Sequence, residues 1–181
     1  EYKYFVGRGV DNLVKQTMQV LKIDASKFSD LRKTYDEVYQ IQGTIQTKIY
    51  PGILKLLQFL KEEGISAHVL SNKPDDQTKK LINHYFGESF FTHVYGKKPE
   101  FLPKPDPASA ADLLKKIGVE AEEVLYLGDT EVDILTAKAA GFVAVGVLWG
   151  FRKREELERA NADLIIAHPS ELEALFTLRK K

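Results

Sequence analysis

The sequence predicts an α/β protein: a Rossmann-like parallel sheet covered by helices, preceded by a small helical region. Three observations predict it. After Tyr50-Pro51-Gly52 the chain alternates between short, nearly continuous apolar runs and helical stripes, as expected for strands buried on both faces. Those runs lead into polar or glycine-bearing turns, and in open parallel sheets ligands bind beyond the carboxyl ends of the strands. Before Tyr50 the periodicity is helical.

The elements follow in order. After Gly7-Arg8-Gly9, apolar residues at Val10, Leu13, Val14, Met18 and Leu21 make one helical stripe. Ser26 is read as the cap of a second helix, with Phe28, Leu31, Tyr35, Val38 and Tyr39 on one face. Tyr50-Pro51-Gly52 is a break. A helix with Ile53, Leu56, Leu57 and Leu60 then runs to Gly64. Strands are expected over 65–70, 90–95, 124–127, 142–148 and 164–167, with helices over about 75–85, 108–117 and 131–140 and a last one carrying Leu172 and Leu175. The predicted domains are therefore 1–48, helical, and 49–181, the sheet-bearing core.

Composition narrows the function classes. Lys plus Arg is 26 and Asp plus Glu is 26, a formal charge of zero, which argues against whole-surface attraction to nucleic acid or anionic membrane. With no cysteine, disulfide frameworks and thiolate zinc sites are excluded. No apolar run reaches the ~20 residues of a membrane helix. A cytoplasmic protein, monomeric or homodimeric, is the expectation.

Three strand ends carry complementary polar groups. Ser71-Asn72-Lys73 follows an apolar strand and precedes a helix, so its hydroxyl and turn N–H groups can hold an anion; a turn or N-capping serine is the alternative. In Pro103-Lys104-Pro105-Asp106-Pro107 the prolines stiffen the chain around a lysine, which is either a fixed positive charge for phosphate or a solvated loop residue; the Lys104-Pro105 bond is a candidate for cis. In Gly128-Asp129-Thr130-Glu131-Val132-Asp133, Gly128 is read as permitting a sharp turn. Asp129 is placed to touch a hard cation, and Asp133, four residues on, brings a second carboxylate to roughly 5–6 Å if both are near helical. Mg²⁺ takes one or two carboxylates, keeps waters and binds phosphate oxygens. The alternative is that Asp129 caps the helix and Asp133 complements its dipole.

Taken together these motifs resemble the haloacid dehalogenase-type (HAD) hydrolases, in their phosphoglycolate-phosphatase-like branch. Ser71 with Asn72 matches the family's second motif, Lys104 its third, and Gly128 to Asp133 its fourth. Tyr50-Pro51-Gly52 resembles the return linker from the family's helical cap, Gly141-Phe142 to Trp149-Gly150 the strand and loop after the fourth motif, and Ala162-Asp163 the run into the last strand. The resemblance implies a HAD-like Rossmann core with a helical cap, residues 1–48 being part of that cap. It also implies hydrolysis of a small phosphate monoester, through an aspartyl-phosphate. Mg²⁺ would be the cofactor, with Asp129 as metal ligand and Asp133 acting through water or by orienting Lys104. Ser71 and the Asn72 N–H would hold phosphate oxygens, and Lys104 would stabilise charge on phosphate and nucleophile. Arg8, near a Gly-rich turn of the cap, is the candidate contact for the substrate's non-reacting end; a surface arginine at a helix start is the alternative.

The family's first motif, Asp-x-Asp-Gly-Thr, supplies the nucleophile and the general acid/base, and no Asp-x-Asp occurs in this sequence. In the family that motif lies on a central strand between the Ser71 strand and the Asp129 strand. The sequence, which opens on Glu1, is therefore expected to be a fragment, inactive alone and a weak Mg²⁺ binder. A sugar phosphomutase of the β-phosphoglucomutase type and a non-catalytic pseudo-phosphatase are the competing readings. Gly7-x-Gly9 follows no strand and is not a dinucleotide fingerprint. Lys97, Lys98 and Phe101 are read as a solvated loop before Lys104, bordering the site entrance being the alternative, and His68, His84, His93 and His168 as structural or surface residues.

Overall fold

Two sets of parallel strands carry the fold. The structure, a computed structural model, describes residues 2–178, so Glu1 lies outside the described residues. β1 (Ala67–Pro74) pairs in parallel with β2 (Phe91–Lys97). β3 (Leu125–Gly128), β4 (Val143–Val147) and β5 (Leu164–Ile166) form a second parallel set with β4 in the middle. Among the described residues β1 and β3 share no ladder. That interruption falls between the Ser71 strand and the Asp129 strand, where the family's central strand is expected.

The chain divides into two compact units, Glu1–Lys48 and Ile49–Lys181. In the first, a 3₁₀ turn (Tyr2–Tyr4) precedes α1 (Val10–Val20) and α2 (Phe28–Gln42). Val14 and Met18 of the α1 stripe are buried, but Leu21 and Val38 are exposed, contrary to the periodicity. Leu21 is already the C-cap of α1, where the helical phase ends. Arg32 of α2 ties the pair by ion-pairing with Asp11 of α1 at 2.7 Å and with Asp36. Ser26 does not cap α2. It lies inside a 3₁₀ turn (Ala25–Lys27) and donates its backbone N–H to Asp24 Oδ1 at 2.8 Å, so the capping oxygen is one turn earlier.

In the second unit β4 separates two cores. Val145 and Val147 meet Leu56 and Leu60 of α3 (Ile53–Glu62), Ile166, and Leu172 of α8 (Pro169–Leu178). Ala144 on the other face meets Ala110 of α5 (Ala108–Ile117), Ile134 and Ala137 of α6 (Glu131–Ala139), and Leu157 of α7 (Arg154–Arg159). This is the doubly covered parallel sheet that the apolar runs require. α4 (Asp75–Phe86) lies against β1 and β2.

Strand edges shift for local reasons. Ile65 is outside β1 because its N–H donates to Leu60 O at 2.8 Å, closing the C-terminus of α3 over Gly64, whose φ is +70°. At its other end β1 runs on to Pro74, beyond a register irregularity after Leu70. α7 is an addition to the expected elements; at six residues it is too short to show a stripe. No helix among the described residues is long and apolar enough to cross a membrane.

Candidate active site

Lys104 is a buried charge at the strand ends. Its side chain is 8% exposed. Its Nζ donates to Leu70 O at 3.0 Å, to the Tyr126 hydroxyl at 2.8 Å and to Asp133 Oδ1 at 2.7 Å. An ammonium has three donors, and here all three are spent. Its backbone is fixed as firmly. Asn72 accepts the Lys104 N–H at 2.7 Å through Oδ1 and donates Nδ2–H to Lys104 O at 3.0 Å. The Lys104–Pro105 peptide is cis. Burial alone would lower the Lys104 pKa, but the Tyr126 oxygen and the Asp133 carboxylate outweigh it and the ammonium is held. Burial raises the Tyr126 phenol, so it stays neutral. The solvated-loop alternative for Lys104 is thereby excluded.

Asp133 faces Lys104 with one oxygen and closes α6 with the other. Thr130 is the N-cap of α6, and Asp133, three residues on, completes a capping box: its Oδ2 accepts the Thr130 N–H at 3.2 Å and the Thr130 hydroxyl at 2.7 Å. The helix is thus capped by Thr130, not Asp129. Gly128 also acts differently from expectation. It is not in the positive-φ region; a Cβ there would sit 2.0 Å from Asp133 Cβ. Gly128 makes room for Asp133.

Asp129 lies on the other side of this corner. Its Oδ2 accepts the Phe151 N–H at 2.7 Å, and a Cβ on Gly150 would come 2.2 Å from Asp129 Cβ. Burial pushes the Asp129 carboxyl above its ordinary value; the Asp133 charge adds to the rise, and the Phe151 N–H and the Arg152 charge oppose it. Tyr50 is near enough to feel this carboxylate, and its phenol is raised by burial and by Asp129. Ser71 lies at the β1 irregularity, its Oγ accepting the Lys73 N–H at 3.1 Å. That is the turn-serine arrangement, and the hydroxyl proton is left to donate elsewhere.

This donor set fits a hard divalent cation at Asp129. A desolvated carboxylate with a second negative charge nearby is what a cation compensates. Asp133 already serves Lys104 with one oxygen and the α6 cap with the other, which suits it to a supporting place beside the cation. One carboxylate is enough for an ion that keeps its waters and binds phosphate. Among the described residues no group of three or more His, Cys, Asp or Glu side chains forms a closed metal cage.

The structure thus brings Asn72, Lys104 and Asp133 into one hydrogen-bonded group and sets Asp129 beside it. Arg8 belongs to the first unit and is exposed between Gly7 and Gly9. Lys98 lays its ammonium 3.6 Å from the Tyr95 ring centroid, and His68 and His93 stack across β1 and β2 at 5.2 Å. Sequence reading missed the Tyr126 hydroxyl, the clamping amide of Asn72 and the loop 150–152. The motif strings hold the only signal for the first two: an Asn beside Ser71, and a Tyr two residues before Gly128.

Comparison with known proteins adds a consistent set of relatives. The family model for haloacid dehalogenase-like hydrolases matches residues 1–147. A phosphoglycolate phosphatase of Vibrio parahaemolyticus is 29% identical over 93% of this chain and 76% of its own length. One of Vibrio cholerae is 30% identical over 89% of this chain and 74% of its own length. In structure, a candidate phosphoglycolate phosphatase from Lactobacillus delbrueckii superposes with a TM-score of 0.88 at 26% identity, covering 95% of this chain and 80% of that one.

Proposed function

The chain belongs to the haloacid dehalogenase-like hydrolase family, and from that premise we propose that it holds and neutralises the phosphate in a Mg²⁺-dependent phosphatase for small phosphate monoesters, phosphoglycolate first. The observation that carries the reading is the buried Lys104 ammonium, fixed by Leu70, Tyr126 and Asp133 at the strand ends. A preorganised cation in a dry site stabilises developing negative charge without reorganising. The relatives named above, phosphoglycolate phosphatases, support the substrate class.

In this reading each residue has one task. The Ser71 hydroxyl donates to a phosphate oxygen, since its own oxygen already accepts from Lys73. The Asn72 backbone N–H supports a second oxygen, and the Asn72 side chain fixes Lys104. Lys104 contributes its charge; with all three N–H bonds engaged, it donates to phosphate only by exchanging one of them. Asp133 orients Lys104, and Asp129 would hold Mg²⁺. That ion supplies charge neutralisation at a phosphate oxygen. Arg8 and the helical unit 1–48, assigned as part of a cap, choose the substrate, Arg8 through a carboxylate or second anionic end. The attacking carboxylate is assigned to an Asp-x-Asp-Gly-Thr strand, whose motif this sequence does not contain.

The test compares the 181-residue chain with the same chain preceded by such a strand. Both are assayed with Mg²⁺ on phosphoglycolate, p-nitrophenyl phosphate and β-glucose 1-phosphate. The expected result is hydrolysis by the strand-completed protein alone, lost on Lys104→Ala or Asp129→Ala. Net conversion of β-glucose 1-phosphate to glucose 6-phosphate would make it a mutase. Binding without turnover would make it a pseudo-phosphatase.

A further inference from the structure

Arg152 is charged and buried, with a side chain 6% exposed, and the phosphatase reading gives it no task. A guanidinium in that position is costly unless paired. Its Nε meets Glu156 Oε1 at 3.0 Å, one turn along into α7. The same Glu156 oxygen accepts the Glu131 N–H at 3.4 Å, a long bond to the first residue of α6. The pair therefore bridges the start of α7 to the start of α6, the helix capped by Thr130 and Asp133.

Just before Arg152 the chain runs directly against Asp129. Gly150 leaves no room for a Cβ beside that carboxylate, and Phe151 holds its Oδ2 with a backbone N–H. The Phe151 side chain is itself exposed, so it does not anchor the loop. The neighbouring Arg152–Glu156 pair is placed to do so.

We infer that Arg152 and Glu156 are positioning residues for Asp129: by pinning the 150–152 turn between α6 and α7, they aim the Phe151 N–H and so fix the carboxylate in the orientation that receives a divalent cation. The inference rests on the phosphatase reading for the identity of that cation, Mg²⁺. Its geometric half, the control of the Phe151 N–H by Arg152, stands without it. Partners one step removed from a metal ligand commonly change metal affinity by about 10–100-fold when removed. Arg152→Lys keeps the charge but not the planar fork, and should recover only part of the effect. Glu156→Gln retains an oxygen for both donors and should recover most of it.

The experiment has a metal-free arm and a metal arm. In the metal-free 181-residue chain, amide hydrogen exchange at Phe151 is followed by NMR for wild type, Arg152→Ala, Glu156→Gln and the control Arg154→Ala. Arg154 pairs with Glu158 at 3.7 Å on the exposed side of the same helix. In the strand-completed protein, Mg²⁺ affinity is measured by calorimetry, with KM and kcat for phosphoglycolate beside it. The expected result is faster Phe151 exchange and about 10–100-fold weaker Mg²⁺ binding for Arg152→Ala, with KM little changed, near-wild-type behaviour for Glu156→Gln, and no change for Arg154→Ala. Unchanged Phe151 exchange, or unchanged Mg²⁺ affinity, in Arg152→Ala overturns the inference. Failure of the wild-type strand-completed protein to bind Mg²⁺ overturns the phosphatase reading instead, and the metal-free arm then decides the geometric claim alone.

Discussion

Lys104 and Asp129 both bring a charge into the strand-end region, and the two regions around them answer that charge in opposite ways. Around Lys104 every donor has an acceptor, the backbone is clamped by Asn72, and the counter-charge of Asp133 outweighs desolvation. Around Asp129 burial prevails and the neighbouring Asp133 carboxylate adds to it, while the Phe151 N–H and the Arg152 charge oppose it without cancelling it. One region is complete within the chain. The other keeps a carboxylate that is held above its ordinary pKa, and in the proposed phosphatase a cation would relieve it. A fixed, buried cation and an unbalanced carboxylate side by side are together a better marker of a site than either alone.

The largest break in this comparison is Lys104→Met. It strands Asp133 without its cation, and removing one partner of a buried pair costs about 3–5 kcal/mol. For a chain of this size that is a fall in Tm of about 6–20 °C, read by thermal unfolding. Gly128→Ala comes next. It forces a Cβ into Asp133, and overpacking of this kind costs about 1–3 kcal/mol, read by urea denaturation, with Asp133 displaced from both Lys104 and Thr130. Asn72→Ala leaves the Lys104 N–H and carbonyl without their side-chain partner, again about 1–3 kcal/mol, but keeps the Lys104–Asp133 pair. It should therefore loosen the lysine's aim, and lower activity more than it lowers stability.

The smallest effect is a pH dependence that belongs to Asp129 alone. Its folded-state pKa lies above the ordinary 3.8, so between those two values the folded chain binds this proton more tightly than the unfolded chain. The penalty for its charge is full at neutral pH. It is relieved as pH falls through the raised value and is gone below 3.8. Asp129→Asn lacks that penalty throughout. Urea unfolding against pH should show the variant's advantage over wild type shrinking as pH falls towards 4; a gap that widens would reverse the sign.

Much of this was readable in the sequence, and the unread part has a common cause. Alternating apolar runs and helical stripes indicate the parallel, doubly covered sheet because burial on both faces removes polar residues from strands. Ser71, Lys104, Asp129 and Asp133 each have an ordinary structural reading and stand out only together, as polar groups that follow strands of parallel sheets in the order of the family's motifs. What the sequence could not show are the pairings across 22 to 56 positions: Tyr126 with Lys104, Tyr126 with Leu70, Phe151 with Asp129 and Asn72 with Lys104. No local rule places those atoms together; packing does. The same limit explains Gly128, whose local meaning is a flexible turn and whose tertiary meaning is space for Asp133. α7 escaped notice because its anchors, Leu157 in the core and Arg152 just before it, need a third dimension to make sense.

The contrast between a balanced lysine and a destabilised carboxylate, with the proposal that a cation relieves the latter, is tested most directly by thermal unfolding of wild type and Asp129→Asn in the strand-completed protein, without and with Mg²⁺. Asparagine keeps the shape and an acceptor for the Phe151 N–H while removing the charge. The account predicts that without metal Asp129→Asn melts at or above the wild-type temperature, and that Mg²⁺ raises the wild-type Tm but not that of the variant. An Asp129→Asn protein that melts well below wild type without metal, or that gains as much from Mg²⁺ as wild type does, would contradict it.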